Sequence, residues 1–192
     1  MCNLYRLTSN VEAMRRLFGV TTGGFANLPA MPEIYPGQAA PVVRGTAEGR
    51  ELITMSWGFP PPPAAGVRPV TNVRNLASPF WRTALARPDR RCLVPADAFA
   101  EWEGEKGAKR KRWFSVDGGR TFAFAGVWRP VAQGAAMAFL TCTPNALVAP
   151  IHPKAMPVIL DPADHDAWLG APLDAACALA APYPAERMAV LG

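Results

Sequence analysis

The stretch Arg91-Cys92-Leu93-Val94-Pro95-Ala96-Asp97-Ala98-Phe99-Ala100-Glu101-Trp102 carries most of the information about the fold. Its two apolar runs, Cys92–Val94 and Phe99–Trp102, have the length and composition of short strands joined by a turn. Similar short runs follow further along the chain, separated by Gly, Pro and charged residues. This spacing is typical of a strongly bent antiparallel or barrel-like β-sheet.

More strands and a few helices are predicted around this stretch. Further strands are expected at Val42–Arg44, Glu51–Trp57, Trp113–Val116, Phe122–Trp128, Ala136–Thr141 and Met156–Leu160. Helices are expected after a capping-box pattern at Ser9–Glu12, from Ser78-Pro79 through Ala86, and over residues 161–169 and 172–181. The segment from Gly19 to about Pro41 is predicted to be an extended loop, and Pro60–Pro63 a polyproline segment. We therefore predict an α+β fold, a bent or barrel-like sheet flanked by a few α-helices, as one domain over residues 1–192.

Composition excludes several classes of protein. Half of the 192 residues are hydrophobic and 18% are charged, which is typical of a globular chain rather than a disordered one. No apolar run reaches the roughly 18–20 residues of a membrane span, and no secretory signal opens the chain. The internal cysteines Cys92, Cys142 and Cys177 are isolated, so we expect buried packing residues, no metal site and no cofactor. We expect a cytoplasmic monomer.

Charge is distributed unevenly along the chain. Residues 68–112 contain eleven basic and five acidic side chains, whereas residues 161–192 contain five acidic side chains and one arginine. A basic middle region predicts a surface that faces a polyanion. For Lys109–Arg112 a solvated loop is an equal alternative.

Cys2 follows the initiator methionine directly. A small second residue normally permits removal of Met1, which would leave an α-amine and a thiol on the same residue. With reference pKa values of about 7.7–8.0 and about 8.5, both groups are partly deprotonated near neutrality. Such a 1,2-aminothiol condenses with an aldehyde to an imine, on which the thiol closes a five-membered thiazolidine. The alternative is that cysteine stands here by chance.

A few other side chains have the chemistry of a site. Glu101 ends an apolar run beside Trp102, where burial would raise its pKa towards the acid–base range, although an ordinary salt bridge is an alternative. His152 lies between two prolines and could move protons, although a lone histidine is more often structural. Asn72 and Arg74 offer an amide and a guanidinium for a substrate and its phosphate. The second histidine, His165, is predicted to be a solvated surface residue.

Taken in order, these segments resemble the SOS-response-associated peptidase (SRAP) family. The segments are Met1-Cys2, residues 55–59 (Met-Ser-Trp-Gly-Phe), Asn72-Val73-Arg74, residues 90–97 with 99–102, residues 124–128 (Phe-Ala-Gly-Val-Trp), and Ile151-His152 through Leu160. The resemblance extends from Cys2 to about Leu160 and implies the SRAP fold. It also implies a DNA–protein crosslinking enzyme that captures abasic sites in single-stranded DNA as a thiazolidine on the N-terminal cysteine, in the response to DNA damage. Such a protein would associate with the nucleoid when it is bound to DNA.

The resemblance also implies roles for residues at matching positions. Cys2 would be the nucleophile, Asn72 would hold the sugar or the amine, Glu101 would be the acid–base for imine formation, and His152 would protonate the sugar oxygen and assist reversal. The DNA-binding set would be Arg74, Trp102, Pro36, Thr141 and Lys154.

The chain departs from the family's usual pattern on its DNA-facing side. Asn3-Leu4 replaces Gly-Arg, Pro60–Pro63 replaces a tryptophan-bearing loop, Leu76 replaces a glutamate, and Lys154 is the only basic candidate after His152. Two alternatives stay open. One is a cysteine peptidase, acting for example on its own Met1-Cys2 bond, and the other is a non-covalent reader of single-stranded DNA.

Overall fold

A closed barrel of five strands forms the core of this computed structural model, which describes residues 2–23, 27–62, 66–105 and 107–191. The strands, in chain order, are β1 (Tyr5–Leu7), β2 (Val20–Thr22), β3 (Met31–Ile34), β4 (Ala39–Thr46), β5 (Gly49–Trp57), β6 (Asn72–Val73), β7 (Arg91–Ala96), β8 (Ala98–Glu103), β9 (Arg110–Val116), β10 (Phe122–Val131), β11 (Gly134–Cys142), β12 (Met156–Pro157), β13 (Ile159–Leu160) and β14 (Met188–Leu191). The α-helices are α1 (Val11–Phe18), α2 (Pro79–Leu85), α3 (His165–Gly170) and α4 (Leu173–Ala178). Short 3₁₀ turns cover Pro88–Arg90, Pro162–Asp164 and Ala185–Arg187.

The barrel follows the order β11-β10-β7-β4-β5, and a parallel pairing of β5 with β11 closes it. The other four contacts between barrel strands are antiparallel. Closure leaves no free sheet edge, and the interior must then be filled by side chains. Tyr5, Trp57, Phe124 and Phe139 fill it, with ring centroids 4.6–6.1 Å apart. Each such buried side chain contributes about 1.5–3 kcal/mol of hydrophobic stabilisation.

A second sheet brings the amino terminus to the barrel. Its order is β14-β9-β8-β1-β3, and β1 lies between β8 and β3. Tyr5 pairs with Phe99 on β8 and with Ile34 on β3, while its ring enters the barrel core. Because β1 is held on both sides, the residues just before it have a fixed position.

The predicted α+β fold with a barrel-like sheet is confirmed. The sheet is mixed, because β5 and β6 pair in parallel with β11 and β2 pairs in parallel with β5. The prediction of an extended loop from Gly19 to about Pro41 is wrong, since β2, β3 and the start of β4 lie there. These strands are short and interrupted by Gly and Pro, so pairing partners rather than local propensity create them. Pro60–Pro62 form no regular element, and Pro63 lies outside the described residues.

The helices begin and end close to the predicted positions, with one change of cap. Asn10, not Ser9, caps α1: its Oδ1 accepts a hydrogen bond from Ala13 N at 2.9 Å. Ser9 instead binds the carboxylate of Asp97. No helix in the described part of the chain is long and apolar enough to span a membrane.

The prediction of a solvated His165 is wrong. Its side chain is 2% exposed and stacks on Phe18 with 5.4 Å between ring centroids, and burial lowers its pKa to about 4. Cys92 and Cys142 are buried as predicted, whereas Cys177 is partly exposed.

Candidate active site at the amino terminus

Cys2 lies at the end of the barrel, just before β1. Its side chain is completely buried in the chain that carries Met1, and Sγ donates a weak hydrogen bond to the Leu4 carbonyl at 3.5 Å. Leu4 itself accepts a hydrogen bond from Ala100 N on β8 at 2.9 Å. The position of Cys2 therefore follows from the pairing of β1 with β8. Met1, whose removal the sequence predicts, lies outside the described residues.

Asn72 holds the backbone of Cys2. It lies on β6, paired in parallel with Phe139 of β11, and its Nδ2 donates to the Cys2 carbonyl at 3.0 Å and to Thr71 Oγ1 at 2.8 Å. The side chain is 5% exposed, and its Oδ1 has no hydrogen-bond partner among the described residues. A buried acceptor without a donor costs free energy, so Asn72 Oδ1 is available to accept a hydrogen bond from a bound ligand.

Glu101 is a buried carboxylate beside the thiol. Only 2% of it is exposed, its Oε1 has no hydrogen-bond partner, and it forms no ion pair within the part of the chain that the structure describes. The salt bridge that the sequence leaves open therefore has no partner within the described residues. Burial raises the pKa of Glu101 to about 7. Burial, and then the charge of Glu101, raise the pKa of the Cys2 thiol well above its usual value.

His152 approaches from the turn that precedes β12. It is partly buried, and its Nδ1 lies 2.7 Å from the Ala155 carbonyl oxygen and 3.3 Å from Ala155 N. The first contact needs a proton on Nδ1 and the second a lone pair there, so the tautomer decides which of the two hydrogen bonds forms. Burial lowers the pKa of His152, and the charges of Lys154 and Arg74 contribute in the same direction. The neutral imidazole is therefore the main form at neutral pH.

Arg74 ties the His152 turn to the barrel. Its Nη1 donates to the Cys142 carbonyl at 3.2 Å and to the Lys154 carbonyl at 2.5 Å. Thr141, one residue before Cys142, is buried and donates to the Val73 carbonyl at 3.5 Å. Arg74 is thus partly engaged with the backbone, although the residue is exposed. Lys154 is exposed.

An aromatic and basic surface lies beside Cys2. Trp102 Nε1 donates to Asn3 Oδ1 at 3.3 Å, and Lys111 Nζ lies 5.8 Å from the ring centroids of both Trp102 and Tyr35. Lys111 also pairs with Glu33. Pro36 follows Tyr35 and is partly buried. The sequence did not single out Lys111 or Tyr35 because only the sheet order brings β9 and β3 to the same surface.

The predicted site residues thus fall into three groups. Direct contacts or charge effects link Cys2, Asn72 and Glu101. Arg74, Thr141, His152 and Lys154 surround the end of β11, on which Asn72 also depends. Trp102 and Pro36 lie on the two strands that flank β1 or just beyond them. Their roles stay predictions.

Comparison with known proteins shows the family of this chain. Residues 1–191 match the family model described as SOS response associated peptidase (SRAP). Over 170 residues the chain is 28% identical to the abasic site processing protein YoqW of Bacillus subtilis (strain 168), with 81% of this chain and 75% of the relative covered. The protein of the same name from Bacillus phage SPbeta matches to the same extent.

Solved structures share the fold. A protein from Bordetella bronchiseptica superposes with a TM-score of 0.81 at 27% identity, with both chains covered completely. A protein from Bacteroides thetaiotaomicron has a TM-score of 0.84 at 19% identity, over 98% of this chain and 90% of the other.

Proposed function

This chain belongs to the SOS response associated peptidase (SRAP) family, and from that premise we propose that it captures abasic sites in single-stranded DNA as a covalent thiazolidine on Cys2. One observation carries the proposal. The buried carboxylate of Glu101, whose Oε1 has no hydrogen-bond partner among the described residues, raises the pKa of the Cys2 thiol, while Asn72 holds the Cys2 carbonyl. The names of the two relatives, both abasic site processing proteins, support a role in the processing of abasic sites. The domain would act as one unit over residues 1–192, as a monomer in the cytoplasm.

The proposed reaction forms two bonds to one carbon. Removal of Met1 frees the Cys2 amine, which adds to the aldehyde carbon of the open-chain sugar. Loss of water gives an imine. The thiol then adds to the same carbon and its proton passes to nitrogen, which closes the ring without an oxidant or reductant.

Glu101 fits the proton transfers of this sequence. A carboxyl group with a pKa of about 7 is present in both protonation states near neutrality, so it can give a proton to the departing hydroxyl and take one from the thiol. The thiol needs such a base because its own raised pKa keeps it protonated. Burial gives Glu101 this raised pKa, and the charge of the N-terminal amine opposes part of the rise.

Asn72 and His152 complete the site. The unpartnered Oδ1 of Asn72 can accept a hydrogen bond from the Cys2 amine or from a sugar hydroxyl. His152 would protonate the sugar ring oxygen when the ring opens. Because burial lowers its pKa, it must first take up a proton, so this step becomes slower as pH rises.

The DNA strand would cross the surface around this site. Arg74 and Lys154 would contact phosphates on one side of Cys2, and Trp102 and Pro36 would pack against bases on the other. Thr141 would line the space between them. Stacking on an aromatic side chain contributes about 1–3 kcal/mol per base.

The peptidase alternative is less well supported by the same geometry. A cysteine peptidase uses a thiolate, which requires a lowered pKa and an accessible sulfur. Here burial raises the pKa of the Cys2 thiol, which disfavours direct attack by a thiolate, whereas in the proposed reaction the amine attacks first and the thiol only closes the ring.

A denaturing gel tests the proposal. Wild-type protein, shown by mass spectrometry to lack Met1, is incubated with a single-stranded oligonucleotide that carries one abasic site. We expect a heat-stable shifted band with this strand and none with an intact strand.

Two variants separate the alternatives. Cys2→Ala removes the thiol, and a variant with one alanine inserted between Met1 and Cys2 keeps the thiol but moves the free amine to another residue. We expect neither to form the adduct. A full-strength band with the insertion variant would rule out the aminothiol mechanism.

A further inference from the structure

A cavity lies at the end of β10, and neither Cys2 nor Asn72, Glu101 or His152 lines it. It has a volume of about 360 Å³. This volume is at the lower end of the range of small-molecule sites. Its walls come from the end of β10, from α2 and its following turn, and from the segment after β5; the lining residues are Phe59, Phe80, Thr83, Ala84, Arg87, Arg90, Trp128, Arg129 and Pro130.

This arginine-aromatic pocket combines cationic and aromatic groups in contact. The guanidinium of Arg90 lies 4.5 Å from the ring centroid of Trp128, and that of Arg44 lies 4.8 Å from the same ring. The guanidinium of Arg129 lies 4.5 Å from the centroid of Phe59 and 5.2 Å from that of Phe80. Each planar cation is thereby held in place by a ring, which limits the entropy lost when it binds a ligand.

The positive charge of the pocket is only partly balanced. Arg87 forms a close pair with Asp89 at 2.6 Å, and Arg90 reaches the same carboxylate only at 3.8 Å. Arg129 donates to the Pro60 carbonyl at 2.8 Å and has no carboxylate partner among the described residues. Burial lowers the pKa of Arg129, which reflects poor solvation of its charge. An anion in the pocket would offset that cost.

Trp128 supplies a further unsatisfied group. It is 8% exposed, and its indole Nε1 has no acceptor within the described part of the chain. Indole nitrogen is a donor only, so the missing partner is an acceptor oxygen or nitrogen. Guanidinium cations and aromatic rings together match a ligand that has an anionic group and a planar ring.

We propose that the arginine-aromatic pocket binds one nucleotide unit, a phosphate together with its base. Arg90 and Arg129 would bind the phosphate, and the base would pack against Phe80 and Pro130 at the opening. The unit could be a free nucleotide or part of a DNA strand; only the second source rests on the proposed function. Trp128 pairs with Met137, four positions before Thr141 on β11, which is about 13 Å at about 3.3 Å per residue. Thr141 belongs to the DNA-binding set of the proposed function, so we include in the proposal a captured strand that also occupies the pocket.

Binding without a lesion tests the proposal. The affinities of inorganic phosphate, thymidine monophosphate and an intact 12-nucleotide oligothymidylate are measured by titration calorimetry for wild type and for the double variant Arg90→Gln, Arg129→Gln. We expect the variant to bind the oligonucleotide at least about tenfold more weakly. The slope of log affinity against log salt should fall by about 0.7 for each arginine removed. Arg16→Gln, which neutralises an arginine that is 79% exposed on α1, is the matched control. It should change the affinity for the oligonucleotide and the salt slope by less than the double variant does.

The three probes identify the source of the nucleotide. Binding of the monophosphate to wild type but not to the double variant, and tighter than that of inorganic phosphate, would indicate a site for free nucleotides. Loss of affinity for the oligonucleotide alone would indicate a unit of the strand. Equal affinities of wild type and double variant for all three probes would overturn the proposal. A double variant with reduced thermal stability, whose lost affinity is not recovered in the charge-retaining variant Arg90→Lys with Arg129→Lys, would also overturn it.

A short substrate separates this inference from the proposed function. Deoxyribose 5-phosphate, which is the abasic unit alone, is too short to occupy Cys2 and the pocket together, so wild type and double variant should form the adduct with it at the same rate, measured by mass spectrometry. A slower reaction of the double variant on this substrate would contradict a separate pocket. Absence of any adduct in wild type would instead contradict the proposed function and leave the calorimetric result to decide the inference.

Discussion

Glu101 is a carboxylate in a place where ionisation is costly. It lies in the interior with one oxygen unpartnered and with no ion pair among the described residues. The unfolded chain would lose the Glu101 proton near pH 4.5, but in the folded protein burial raises the pKa to about 7. Between these values the folded state holds more protons than the unfolded state, so stability falls as pH rises. Activity and stability therefore make opposite demands on this residue.

Replacing Glu101 by glutamine should reveal this conflict. The variant keeps the size of the side chain but cannot ionise, so at pH 8 its free energy of unfolding should exceed that of wild type by up to about 3 kcal/mol. Below pH 4.5 the difference should vanish. Adduct formation at pH 7.5 should be slower by about 10²-fold, because one acid–base group is lost. Urea unfolding at several pH values and gel time courses measure the two effects, and a variant that is both less stable at pH 8 and fully active would contradict this account.

Arg91 connects three elements of the fold. It lies on β7, is completely buried, and its guanidinium donates to the carbonyls of Leu85 at 3.0 Å, Trp168 at 2.8 Å and Ala171 at 2.7 Å. These carbonyls lie at the ends of α2 and α3, where the helical hydrogen-bond pattern leaves acceptors unpaired. The charge is thus used to fasten two helix ends to the barrel.

Arg91→Met should destabilise the protein strongly. The side chain has a similar length and is apolar, but three buried carbonyls lose their donor, at about 1–3 kcal/mol for each unsatisfied group. We expect a total loss of about 3–5 kcal/mol in the free energy of unfolding, measured by urea denaturation. Arg90→Met, next to it in the sequence and partly exposed, is the matched control for stability and should cost less than 1 kcal/mol, roughly the value of an exposed ion pair. Equal losses in the two variants would show that the carbonyl contacts of Arg91 contribute little.

At the scale of the whole molecule, barrel closure requires close approach of β7 and β10. Gly126 on β10 pairs with Cys92 on β7, and a Cβ at Gly126 would lie 2.8 Å from Cys92 Sγ and 2.9 Å from Val94 Cγ2. Trp168 Nε1 also donates to the carbonyls of Cys92 and Gly126, at 2.9 and 3.2 Å, so α3 is fastened at the same point. The absence of a side chain at Gly126 therefore matters to the barrel as a whole.

Gly126→Ala should lower stability throughout the barrel. Overpacking of a filled core costs about 1–3 kcal/mol, which for a chain of this size corresponds to a decrease in melting temperature of about 2–4 °C per kcal/mol. Gly170→Ala is the control, because a Cβ there meets no atom within 4 Å. We expect the control to melt at or slightly above the wild-type temperature. Calorimetric melting of both variants measures the difference, and a Gly126→Ala protein as stable as its control would mean that the strands can separate freely.

The local sequence pattern predicts most of the strands and helices correctly. It misses strands that form only because a neighbouring strand pairs with them. The long alternating or apolar runs around β5, β7, β8, β10 and β11 are strands as predicted, because their side chains have a core to fill. The short strands β2, β3 and β14 were not predicted, since three or four residues carry too little periodicity and are strands only because a neighbour pairs with them. His165 was placed on the surface because its neighbours are acidic, yet α3 packs that side of the helix against Phe18.

The amino-acid sequence by itself determined the chemistry available to this protein: an aminothiol at Cys2 once Met1 is removed, a glutamate in an apolar run, and the order of motifs that identifies the family. These follow from residue type and covalent position. Only the tertiary structure decided that Glu101 is buried, that Asn72 binds the Cys2 carbonyl, and that Arg90, Arg129 and Trp128 line one pocket. Burial and side-chain contacts depend on residues that are distant in the chain, and a pKa depends on both. The strand order of the barrel therefore had to be known before the contacts or the pKa values of the site could be stated.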